Sequence, residues 1–112
     1  MNVTIHSHNV ALDQPLKDYA EAKLRRLDRH FDRIVDARLE FDLESAKSGD
    51  PMKVASLHVR VSRAVVSGKV KGRDLRQTVD LVVDKVDQQL RRRKERLTTH
   101  RATPKGASPK GA

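Results

Sequence analysis

The sequence predicts an α+β fold of order β-α-β-β-β-α, a four-stranded mixed sheet with two helices on one face. Three observations predict it. Apolar residues recur at helical spacing in two segments, they alternate at strand spacing in the segments between and before them, and turn-forming residues separate the two kinds. The chain has 112 residues, which suits one domain with one modest core. Tyr19, Phe31 and Phe41 are the only aromatic residues, so Val, Leu, Ile and Ala must build that core.

Val3 and Ile5 alternate with Asn2, Thr4 and His6 and read as a short first strand. From about Asp13 to Arg33 the spacing is helical. Asp13 suits the N-cap, Pro15 falls in the first turn where its missing N–H is harmless, and Leu16, Ala20, Leu24, Leu27 and Phe31 make the apolar stripe. From Val35 to Ser45 the period is two, with Val35, Ala37, Leu39, Phe41 and Leu43 on one side and Asp36, Arg38, Glu40, Asp42 and Glu44 on the other. Ser48-Gly49-Asp50-Pro51 is a turn. Ala55, Leu57, Val59 and Val61 then alternate with Ser56, His58, Arg60 and Ser62, and a further strand over Ala64 to Lys71 places Gly68 where a neighbour approaches closely.

Gly72-Arg73-Asp74 turns the chain into a last helix with Asp74 as its N-cap. Leu75, Val79, Val82, Val86, Leu90 and Leu97 form its apolar stripe, but the run Arg91 to Arg96 points charge all round the axis, with Arg93 on the stripe itself. That end is expected to project past the core. The three consecutive strands form an antiparallel meander, and the first strand joins it in parallel through a right-handed crossover. Both helices should cover one side of the sheet and leave the other polar. The domain is expected to span 1–98. Residues 99–112, with Pro-Lys-Gly-Ala twice, have nothing to bury and are expected to be a disordered basic tail.

Charge is uneven along the chain. Residues 1–50 carry eight Lys and Arg against ten Asp and Glu, a net of −2, while residues 51–112 carry sixteen against five, a net of +11. Such asymmetry is a footprint for nucleic acid or an anionic membrane, and the basic segment lacks the Trp or Phe that would insert into lipid. There is no cysteine, hence no disulfide or thiol chemistry. With no signal-like N-terminus and no run of eighteen apolar residues, the expected setting is cytoplasmic and soluble.

Catalysis has little support. His6 and His8 share a strand face, but a zinc centre needs three or four convergent ligands and His58 lies on a strand that need not adjoin them. No metal, cofactor or small-molecule substrate is expected. No glycine-rich phosphate loop is present, and Glu40, Asp42 and Glu44 repeat every second residue as a solvated strand face does. Cations are more telling. Lys23, Arg26 and His30 make one row on the first helix, and Arg25, Arg29 and Arg33 a second; Lys85, Arg92 and Arg96 line one flank of the last helix, and Arg91 another. Side by side, two such helices would make a groove-like positive surface that suits a polyanion. Without aromatics to stack bases, phosphate contacts and shape recognition are favoured over sequence reading.

The element order, the segment Ala22 to Ile34, the turn Gly72-Arg73-Asp74-Leu75 and the run Asp84 to Leu90 followed by basic residues together resemble one family. It is that of the short ribosome hibernation promoting factors and ribosome-associated inhibitors, also called sigma-54 modulation proteins. The resemblance implies a non-enzymatic protein that sits in the small-subunit channel for messenger and transfer RNA and inhibits translation in stationary phase or stress; a monomer is expected off the ribosome. It also implies rRNA contacts by Lys23, Arg26 and Arg29 on the first helix and by Lys85, Gln89, Arg92, Lys94 and Arg96 on the second. A short basic tail points to the kind that promotes ribosome dimerisation. Two alternatives are a double-stranded RNA-binding domain, whose α-β-β-β-α order is similar, and a modulator of a transcription factor. A ribonuclease using His6 or His30 is the enzymatic alternative.

Overall fold

The computed structural model describes residues 1–31, 34–45, 51–62 and 64–102, and the side chains of all of these except 29, 30, 45 and 94–102. Six elements follow one another: β1 (Asn2–Ser7), α1 (Gln14–His30), β2 (Asp36–Ser45), β3 (Pro51–Val61), β4 (Ala64–Gly72) and α2 (Leu75–Ala102). The sheet order is β1-β2-β3-β4, with β1 parallel to β2 and the other pairs antiparallel.

Register explains why one sheet face is apolar. Ala37 lies opposite Val59, itself opposite Val66; Leu39 opposite Leu57, then Gly68; Phe41 opposite Ala55, then Val70. On the parallel side Val3 and Ile5 meet Ala37 and Leu39. Both helices press their stripes onto this face. Leu16, Ala20, Leu24 and Leu27 from α1, Phe31 at its C-cap, and Val79, Val82, Val83, Val86 and Leu90 from α2 are buried with the strand residues in one core. Val35, just before β2, and Leu43, near its end, share the inward pattern yet are 44% and 38% exposed.

The helix ends follow from local chemistry. Asp13 has extended backbone and its carboxylate accepts the Leu16 N–H at 3.0 Å, with Pro15 in the first turn. α1 stops at His30, short of the expected Arg33: Phe31 turns extended while its N–H still reaches the Leu27 carbonyl at 2.9 Å, so its ring drops into the core. Asp74 caps α2, its carboxylate accepting the Arg76 N–H at 3.0 Å. α2 continues to Ala102, past the expected end at Thr98; the remaining tail, 103–112, and most of the expected 48–51 turn lie outside the described residues.

The far face of the sheet is polar and cross-paired. Arg60 meets Asp36 at 2.7 Å, Arg38 meets Glu40 at 2.9 Å, and Lys71 meets Glu44 at 2.6 Å. His58 accompanies them, 2.8 Å from the Ser67 hydroxyl and 3.7 Å from Glu40.

Candidate nucleic-acid interface

Close packing of α2 on the edge strand begins at Gly68. A methyl group there would stand 3.0 Å from Val86 Cγ2 and 3.5 Å from the Lys85 stem, so the absence of a side chain lets the helix settle against β4. The outward carbonyls of β4 then meet donors from α2. Lys85 Nζ donates to the Lys69 carbonyl at 3.2 Å and Gln89 Nε2 to the Ser67 carbonyl at 2.9 Å. Four residues of helix rise about 6 Å and two residues of strand about 6.6 Å, so successive helical turns match successive outward carbonyls. Beyond this pair opens a cleft of 630 Å³ lined by Val65, Val66, Lys85, Gln88, Gln89, Arg92 and Arg93. Among the described residues it is lined by three cations and no carboxylate.

The flank of α2 that faces α1 is different. Asp80 accepts a hydrogen bond from the Tyr19 hydroxyl at 2.5 Å and stands 3.2 Å from Lys23 Nζ. The Arg76 guanidinium lies 4.5 Å from the centre of the Tyr19 ring. Partial burial pushes the Asp80 carboxyl up, but the hydrogen bonds from Tyr19 and Lys23 outweigh it and hold the group below the usual carboxylate range. The same bond to Asp80, with desolvation, raises the Tyr19 phenol. Further along, Arg91 pairs with Asp87 at 3.3 Å, and on α1 Arg25 pairs with Glu21 at 2.8 Å.

The residues implicated by sequence are therefore sorted by flank. Lys85, Gln89 and Arg92 gather along β4, whereas Lys23 sits across α2, neutralised in part by Asp80. Arg26 is exposed on α1 and has no carboxylate partner among the described residues. The side chains of Arg29, Lys94 and Arg96 lie outside those described. A single groove shared by both helices is thus divided by a carboxylate flank. At 100° per residue, Asp80 and Asp87 share the side toward α1, while Lys85, Gln89 and Arg92 share the other. Arg93, read from sequence as an interruption of the stripe, is exposed and lines the cleft instead. Tyr19, Arg76 and Asp80 were not singled out from sequence. The i, i+4 spacing of Tyr19 and Lys23 was available as a signal, but their partner lies 61 residues beyond Tyr19.

Among the described residues, no group of three or more His, Asp and Glu could hold a metal ion. His6 stands beside Glu40 in register on β1, two strands from His58. No described helix is long and apolar enough to cross a membrane.

The fold and the described side chains define a small β-α-β-β-β-α domain whose helices carry exposed cations, Arg26, Arg92 and Arg93, with no carboxylate partner among the described residues. The family model described as sigma 54 modulation protein / S30EA ribosomal protein matches residues 3–98, and the chain belongs to this family. Its curated relatives are named ribosome hibernation promoting factors. The chain is 38% identical over 97 residues to the ribosome hibernation promoting factor of Azotobacter vinelandii, covering 86% of this chain and 85% of that one. It is 27% identical to the ribosome hibernation promotion factor of Deinococcus radiodurans, where the match covers 87% of this chain and 51% of the longer relative. A solved ribosomal subunit interface protein from Coxiella burnetii has the same fold, with a TM-score of 0.74 at 22% identity over 85% of this chain and 99% of that one.

Proposed function

We propose that this chain binds the small ribosomal subunit in the channel for messenger and transfer RNA, and so inhibits translation in stationary phase or stress. The observation that carries it is the set of exposed cations with no carboxylate partner among the described residues, Arg26, Arg92 and Arg93, on a domain of this family. Such groups release counterions when they meet phosphate, and without stacking aromatics they grip folded RNA by its backbone. Lys23, Arg29, Lys85, Gln89, Lys94 and Arg96 extend the contact along both helices. Residues 1–98 form the ribosome-binding unit, and 99–112 are dispensable for binding. The protein acts in the cytoplasm, without catalysis, and favours pairing of idle ribosomes.

Cosedimentation with isolated small subunits tests this directly. The chain should pellet with them, an excess of structured messenger should displace it, and a form ending at residue 98 should pellet equally well. A chain that stays at the top of the gradient, or that messenger does not displace, would refute the channel role. Adding it to intact ribosomes should shift them to a heavier species if pairing follows.

A further inference from the structure

We propose that Asp80 is an internal competitor for Lys23, holding its ammonium in the place of an RNA phosphate and so tuning down the affinity of the α1 flank. This rests on the rRNA-binding role above. Asp80 is fixed from its own surroundings: its Oδ1 accepts the Tyr19 hydroxyl at 2.5 Å, and Arg76 lies over the Tyr19 ring at 4.5 Å. Lys23 is held more loosely, by the 3.2 Å contact to the same oxygen and by the ring 5.8 Å from Nζ. The two side chains keep 24% and 39% of their surface, so a polyanion can reach the pair. Lys23 can therefore leave on its flexible stem for a phosphate, while Asp80 keeps the tyrosine bond and the nearby Arg76 charge. One ammonium cannot serve carboxylate and phosphate equally, and the carboxylate left behind repels the incoming backbone. Both effects weaken binding.

The test is the salt dependence of binding of the whole chain to isolated small subunits, with thermal unfolding to check the fold. Asp80→Asn should bind about two- to fivefold tighter at low salt, the size of a screened surface pair. It should also steepen the slope of log affinity against log salt by about 0.7–0.9, one added phosphate contact. Asp80→Ser should do the same, and Asp80→Glu, which keeps the charge, should return toward the parent chain. Adding Lys23→Gln to Asp80→Asn should remove the extra slope. Tyr19→Phe separates a structural role, since it loses the bond but keeps the Asp80 charge; it should lower the melting temperature and leave the slope alone. A folded Asp80→Asn protein with the parent slope, or with weaker binding, overturns the proposal. Arg92→Glu serves as the reference: if it does not weaken binding, the rRNA-binding role itself fails and this inference with it. If Arg92→Glu weakens binding while Asp80→Asn leaves it unchanged, only the inference fails.

Discussion

Arg92 is exposed, lines the cleft beside β4 and makes no ion pair among the described residues, so its replacement removes charge without removing a structural contact. Arg92→Glu should leave thermal unfolding unchanged and lower the salt slope of ribosome binding by about 1, as loss of one phosphate contact does. Asp80 offers a second measurement. Its folded pKa lies below the ordinary value, so its stabilisation is complete above the unfolded pKa and is lost as pH falls through the folded one. Glu44, lowered chiefly by its hydrogen bond from Lys71, acts in the same direction. Melting temperature should therefore decline below about pH 4, and less steeply in Asp80→Asn. Tyr19 has the opposite sign of dependence. Its raised pKa means that the neutral phenol stabilises fully below the unfolded value and the contribution is lost as pH rises through the folded value.

At the scale of elements, β1 and the α2–β4 contact are the informative joints. Val3 and Ile5 pack against the core, and β1 covers the β2 edge that would otherwise be unpaired. Deleting residues 1–8 should abolish cooperative unfolding, measured by thermal melting. Gly68→Val places atoms where Val86 and the Lys85 stem already stand, and should cost about 1–3 kcal/mol in denaturant unfolding. The order of elements was legible because each segment holds its hydrophobic period for several residues and is bounded by a cap or turn, Asp13 and Asp74 among them. Alternation put Val35 and Leu43 on the apolar side, but period alone does not say where the covering helices stop, and both are exposed. The candidate site was legible only in part. Helical spacing put Lys85 and Arg92 on one flank with Arg96, and the family resemblance added Gln89, but which cations are neutralised depends on pairs such as Lys23–Asp80 that join distant segments.

For the whole molecule, the question is where the net charge of +9 is felt. On the open sheet face Asp36, Glu40 and Glu44 are each matched by Arg60, Arg38 or Lys71, so that face is close to balanced. The helical side is not. Its cleft carries Lys85, Arg92 and Arg93 against no carboxylate among the described residues, and Arg26 stands exposed on α1, on the other side of α2. A lopsided field of this kind orients a protein as it approaches a polyanion and is screened over about 10 Å at moderate salt. If Arg26, Arg92 and Arg93 each neutralise one phosphate, they alone make log affinity for the small subunit fall with log salt at a slope of about −2 to −3, and every further cation in contact steepens it. A flat response would rule out phosphate-led binding. Position should matter as well as total charge. Lys71→Glu changes net charge as much as Arg92→Glu does, but on the far face, where Lys71 pairs with Glu44. It should therefore weaken binding less than Arg92→Glu at every salt concentration. Equal losses from the two variants would mean that net charge alone attracts the chain, and that the helix flanks do not form the docking face.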